Sequence, residues 1–124
     1  MKLLKDKIVL VTGGTRNVGK GIALALGEAG ATVYVTGRSI TENDVKNITK
    51  AGGKGIAVIC NHENDDEVKA VFEQIENDEG KLDILVNNAW GGYKRLRNRK
   101  EYPGFKWKAP FWEQPIDLCV LITI

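Results

Sequence analysis

Residues 11–22, VTGGTRNVGKGI, constrain this chain more than any other stretch. They join an apolar run, KIVLVT at 7–12, to a segment where Val18, Ile22, Ala25, Leu26 and Ala29 recur at helical spacing. A continuous apolar run that stops at glycine suits a strand buried on both faces, as in a parallel sheet. A glycine cluster between such a strand and a helix lets the backbone turn sharply and come close to a ligand. Free N–H groups at the helix start attract anions, and a crossover unit puts that start at the carboxyl edge of the sheet. The bland alternative is a glycine turn that holds nothing. Its position in the first strand–helix unit weighs against that.

The alternation continues down the chain. Gly30 stops the first helix, and ATVYVTG at 31–37 reads as a second strand rich in β-branched residues. Thr41 with Asp44 resembles a capping box opening a polar helix, which Gly52 and Gly53 close. GIAVIC at 55–60 is a third strand. Asn64 with Glu67 caps a further helix with an apolar stripe at Val68, Val71, Phe72 and Ile75, ended by Gly80. LDILVNNA at 82–89 is a fourth strand. Strand–helix alternation with short connections predicts an α/β fold with right-handed crossovers and a parallel sheet of about four strands in the order 3-2-1-4. Three segments follow: a dinucleotide-binding unit over 1–90, a basic and aromatic loop over 91–115, and an aberrant C-terminal segment over 116–124.

Within the glycine turn, Gly13 is expected to make the tight bend and Gly19 to allow helix and strand to pack closely. Asn17 stands where a further glycine would fit, and asparagine tolerates the left-handed conformation better than most residues. Nucleotide sites that take ribose hydroxyls want an acid at the end of the second strand. This chain has Gly37-Arg38 instead. Arg38, and Arg16 in the turn, suit a 2′-phosphate, because the guanidinium fork matches phosphate oxygens. The expected cofactor is therefore NADP rather than NAD, the alternative being that both arginines are merely solvated.

VTGGTRNVG, TGR after the second strand and LVNNAWGG after the fourth together resemble the short-chain dehydrogenase/reductase family. GKGIALALGEAGATVYVTGR and FWEQPIDL resemble a narrower branch, the member-one type. The resemblance runs from residue 6 to about residue 118. It implies a partial doubly wound Rossmann fold and an NADP(H)-dependent carbonyl or alcohol oxidoreductase. The family turn is T-G-x-x-x-G-x-G, met by Thr12, Gly13 and Gly19 and missed at Asn17; Trp90 interrupts the family's N-N-A-G before Gly91. Residue by residue, the turn from Gly13 through Thr15, Arg16, Asn17 and Val18 to Gly19 would receive the pyrophosphate. Arg16 and Arg38 would meet the adenosine phosphate. Asn61 stands where the family has an aspartate that touches adenine. Asn87 and Asn88 would tie the fourth strand to its neighbours and line the groove, and Ala89 would pack near a cofactor ribose. His62, the only histidine, is expected at the carboxyl end of the third strand near the adenine pocket, with no contact to the cofactor as the preferred reading and a cofactor role as the alternative.

Chemistry in that family takes a Tyr-x-x-x-Lys pair and a serine. The lysine lowers the tyrosine pKa, so that the phenol exchanges a proton with the substrate oxygen. The tyrosines here are Tyr34, Tyr93 and Tyr102, and Ser39 is the only serine. Tyr102 and Lys106 match the letters but lie in a stretch broken by Pro103 and Gly104, so no catalytic residue is assigned. The family runs to about twice this length, and CVLITI at the end departs from it. The expectation is the cofactor half of a reductase, without turnover by these residues alone. The alternative is a truncated, non-catalytic product that binds NADP or a partner subunit. A methyl-donor enzyme on a similar sheet is a third reading, disfavoured by Arg38.

Composition decides little else. The overall charge is only +2, but 91–108 holds Lys94, Arg95, Arg97, Arg99, Lys100, Lys106 and Lys108 against Glu101. With Tyr93, Tyr102, Phe105 and Trp107 interleaved, that stretch could read as a nucleic-acid patch. A solvated substrate-side loop is the preferred reading, and no nucleic-acid partner is expected. Cys60 and Cys119 fit no metal or redox spacing and read as reduced buried thiols, and no metal site is expected. Neither a signal peptide nor a membrane-spanning run is legible, so the expected location is cytoplasmic. An open edge on the fourth strand is expected to favour homo-oligomers or association.

Overall fold

Residues 8–11 are buried on every side, and that burial organises the sheet. In the computed structural model, which describes residues 2–89 and 108–113, they form strand β1, Ile8–Val11. Helix α1 (Asn17–Glu28), strand β2 (Thr32–Gly37), helix α2 (Glu42–Lys50), strand β3 (Lys54–Ile59), helix α3 (Asp65–Glu79) and strand β4 (Ile84–Val86) follow. All strand pairs are parallel, in the order β3-β2-β1-β4, as the alternation predicts. Val9 pairs with Val33 on one side and with Ile84 on the other.

Side chains alternate across this sheet. Val9, Val11, Val33 and Val35 face one layer with Ala23, Val45 and Ile48 of α1 and α2. Ile8, Leu10, Tyr34 and Val58 face the other, against Val71 and Ile75 of α3. Each fully buried aliphatic side chain contributes about 1.5–3 kcal/mol. Filling both layers therefore outweighs the weak helix propensity of the polar α2. The Tyr34 ring is fully buried, and its hydroxyl donates to Glu79 at 2.9 Å and reaches Asp78 at 3.4 Å. Burial and those carboxylates push the phenol well above its ordinary pKa.

The helix boundaries have local causes. Asp44 accepts from the Thr41 backbone N–H at 2.8 Å and from its hydroxyl at 3.2 Å, opening α2. Asn64 Oδ1 accepts from the N–H groups of Asp66 and Glu67, opening α3, and Gly80 closes it in the left-handed conformation.

Two expectations are corrected here. First, α1 does not bury the large apolar stripe. Its buried residues are Gly19, Ala23 and Gly27, one turn apart, while Ile22 and Leu26 are half-buried and Val18 is 69% exposed. Small residues win because the helix lies too close for more: a Cβ at Gly27 would sit 3.2 Å from the Ile48 carbonyl oxygen, with the Ile48 side chain nearer still. Likewise Phe72 of α3 is 40% exposed rather than core. Second, β4 is three residues, not eight. The Asp83 side chain accepts from Ile8 N–H at 2.8 Å before the strand, and side-chain bonds from Asn88 replace the ladder after it.

The chain divides into two units, Met1–Asn88 and Ala89–Ile124. In the second, Phe111–Glu113 form a single 3-10 turn. Most of the expected basic loop, Tyr93, the Tyr102/Lys106 pair, Cys119 and the 116–124 segment lie outside the described residues. No helix among the described residues is long and apolar enough to cross a membrane.

Candidate cofactor site

Strand β1 delivers Thr12 and Gly13 to the carboxyl edge of the sheet. Gly13 has φ 66 and Asn17 φ 49, so the turn bends at a glycine and again at an asparagine in the left-handed region. Between them Gly14 is packed against β2, where a Cβ would lie 2.6 Å from Val35 Cγ1. The close approach of this turn to the sheet therefore depends on the absence of side chains.

Asn88 locks the turn from the other strand. Its Nδ2 donates to the carbonyls of Thr12 at 3.1 Å and Gly13 at 3.0 Å, and its backbone N–H donates to Thr12 Oγ1 at 3.1 Å. The Thr12 hydroxyl in turn reaches the Val86 carbonyl at 3.4 Å. A Cβ at Gly19 would strike Asn88 Nδ2, and would also come within 2.7 Å of the Gly13 carbonyl oxygen. Gly19 and Asn88 thus share one small space. Asn87 is exposed and takes no part in these bonds, so the tie expected of the pair is made by Asn88.

The start of α1 differs from the other two helix starts. Its N-cap is Arg16, which makes no side-chain capping bond, and its first turn holds no acid. The first turns of α2 and α3 carry acids of their own, Glu42 and Asp44 in one, Asp65, Asp66 and Glu67 in the other. An uncapped helix start carries about half a positive charge and unpaired N–H groups. With glycine on both sides, this donor set fits a phosphate. Thr15 packs against the end of β2, its Cγ2 2.9 Å from where a Gly37 Cβ would be. The next residue along each segment is an exposed arginine, Arg16 and Arg38. The rim beside the helix start is therefore cationic and has no carboxylate at the end of β2.

At the end of β3, Cys60 is buried and its thiol is pushed up by burial, then by Glu67. Asn61 Oδ1 accepts from Glu63 N–H at 3.1 Å, which leaves its amide NH2 and one lone pair of the oxygen for a further bond. The half-buried His62 ring lies with Nε2 2.7 Å from Thr36 Oγ1, which also accepts from Gly13 N–H at 3.1 Å. Desolvation lowers the His62 pKa below its ordinary value, against an opposing pull from Glu67.

The sequence profile of the family described as short chain dehydrogenase matches residues 7–113. The chain belongs to the short-chain dehydrogenase family. A mouse family protein, dehydrogenase/reductase SDR family member 1 of Mus musculus, is 37% identical over 118 residues, which is 93% of this chain and 36% of the mouse protein. The chain thus spans about a third of the length of this mouse protein and of the human protein of the same description, where the sequence suggested about half. A metagenomic short-chain oxidoreductase in complex with NADP superposes with TM-score 0.68 at 31% identity, covering 79% of this chain and 46% of the other. An NADH-dependent reductase, A1-R′, complexed with NAD superposes with TM-score 0.66 at 26% identity, covering 71% of this chain and 38% of the other.

Of the expected site residues, Thr12, Gly13, Thr15, Arg16, Asn17, Val18 and Gly19 follow the carboxyl end of β1 into α1, Arg38 follows β2, Asn61 and His62 follow β3, and Asn88 follows β4. Ala89 is half-buried and belongs to the second unit. The residue that sequence reasoning missed is Thr36. A β-branched residue within TVYVTG reads as a strand former, and nothing in its spacing reveals a buried hydroxyl shared by Gly13 and His62.

Proposed function

We propose that these residues are the cofactor-binding half of an NADP(H)-dependent carbonyl or alcohol oxidoreductase. The carrying observation is the uncapped, glycine-lined start of α1 with Arg16 and Arg38 on its rim and no acid at the end of β2. The pyrophosphate would lie on the N–H groups around Gly13 to Gly19. The 2′-phosphate would take Arg38, and Arg16 beside it. Asn61 would offer its NH2 toward the adenine. That is the reverse polarity of a carboxylate there, and favours a ring nitrogen over the exocyclic amine.

When bound, the nicotinamide supplies hydride transfer. What these residues do is hold and orient the nucleotide. Asn88 fixes the carbonyls of Thr12 and Gly13, so that the turn presents its N–H groups in one arrangement. No proton-transferring set stands beside that turn among the described residues: Tyr34 is buried under α3, and Ser39 is exposed after β2. The 124 residues by themselves are proposed to bind without turnover.

Calorimetric titration of the purified chain tests the cofactor assignment. NADP+ should bind more tightly than NAD+, and Arg38→Glu should erase the difference. A hydrogen-bonded charge pair contributes about 1.5–3 kcal/mol, so the expected loss in NADP+ affinity is about 10- to 100-fold with little change for NAD+. Equal affinity for both nucleotides in the unaltered chain would reject the assignment.

A further inference from the structure

Thr36 is wholly buried at the end of β2, and its hydroxyl has two partners among the described residues. A hydroxyl has one proton and two lone pairs. Gly13 N–H takes one lone pair. The proton then has one described acceptor, His62 Nε2, and can use it only if that nitrogen carries no proton of its own. The ring must therefore be neutral, with its proton on Nδ1. If Nε2 were protonated, two donors would converge on Thr36 Oγ1 and the buried hydroxyl proton would have no described acceptor, a loss of about 1–3 kcal/mol.

We infer that His62 is a positioning residue for the glycine turn: as a neutral acceptor it holds Thr36 so that its lone pair receives Gly13 N–H, and protonation of His62 loosens the turn and weakens nucleotide binding there. The nucleotide part rests on the cofactor reading above; the coupling between His62 and Gly13 does not. Burial sets the direction, and of the groups named around the ring Glu67 alone opposes it. The turn presents Gly13 and β2 presents Thr36, both uncharged. The thiol of Cys60, before the loop, is kept protonated by burial. From α3, Glu67 favours the charged ring, but its Oε1 already accepts from Asn61 N–H at 3.2 Å, and burial prevails. The ring is thus neutral near neutral pH and charges only below the ordinary histidine range.

His62 is the only histidine, so its signals are unambiguous. The test is a ¹H–¹⁵N NMR titration of the nucleotide-free full chain from about pH 8 down to where the ring signals level off. The expected result is an unprotonated Nε2 at the alkaline end and a Gly13 amide that moves along the same curve as the ring. Thr36→Val should uncouple them. Calorimetry with NADP+ should then show affinity falling about tenfold through the His62 titration, the linkage equivalent of one pKa unit. His62→Gln, whose Oε1 still accepts from Thr36 but does not titrate, should keep the affinity and flatten its pH profile. A Gly13 amide indifferent to the ring, or an acid loss unchanged in His62→Gln, overturns the inference. A coupled Gly13 amide in a chain that binds no NADP+ at any pH upholds the coupling and sinks the cofactor reading instead.

Discussion

Asn88 donates through one amide nitrogen to two carbonyls, and that same nitrogen occupies the space a methyl at position 19 would need. The two residues are 69 positions apart, yet neither works without the other. Truncating Asn88 removes the bonds it donates to the Thr12 and Gly13 carbonyls, at about 1–3 kcal/mol. Adding a methyl at Gly19 forces the amide off those carbonyls and crowds the Gly13 oxygen, for a similar loss. Because both changes break the same bonds, the double variant should be less destabilised than the two single effects added, by about 1 kcal/mol. Urea unfolding of Gly19→Ala, Asn88→Ala and the pair measures this; strict additivity would mean that the amide can move aside freely. Both residues stand out in the sequence, one in the glycine cluster, one in LVNNA. Their mutual dependence does not, because it lies in a contact that the sheet creates. Asn17 is the opposite case: its left-handed φ is legible from its place among glycines alone.

At the scale of elements, the strands were legible because a run buried on both faces has a plain signature, and the caps of α2 and α3 because Thr41, Asp44 and Asn64 act within their own turn. The buried face of α1 was not. Periodicity rewards bulk, whereas α1 packs on Gly19, Ala23 and Gly27, which score as nearly nothing. The short β4 has a local cause too: at Asp83 the backbone N–H still donates to the Ile8 carbonyl at 2.9 Å, but the Ile8 N–H goes to the Asp83 side chain. That carboxylate is held below its ordinary pKa first by Ile8 N–H and then by Lys81, whose Nζ is 3.1 Å away. A depressed folded pKa means the stabilisation is complete above the unfolded value, about 3.9, and disappears as pH falls through the folded one. Asp83→Ala should therefore lower the denaturation midpoint at neutral pH, and the gap to the unaltered chain should close in strong acid. A gap that persists undiminished into acid would assign the effect to packing rather than to charge.

For the molecule as a whole, the question is what a folded Met1–Asn88 unit accomplishes by itself. Its two apolar layers are filled from both sides of the sheet, and its glycine turn is braced from β2 by Thr36 and from β4 by Asn88. On the proposed reading, binding draws on a preorganised turn, and those braces lie within the unit. Turnover needs more: a group that gives or takes a proton at the substrate oxygen in step with hydride transfer. Tyr34, the tyrosine of this unit, is held protonated beneath α3 by burial and by Glu79, far from that role. The two requirements should therefore separate experimentally. The purified 124-residue chain should quench or shift NADPH fluorescence, with Arg38→Glu weakening the effect about 10- to 100-fold. The same preparation should consume no NADPH above the uncatalysed rate with simple aldehydes and ketones. NADPH consumption that Arg38→Glu abolishes would mean that these residues carry a proton-transferring group after all, and Tyr102 with Lys106 would be the first pair to replace.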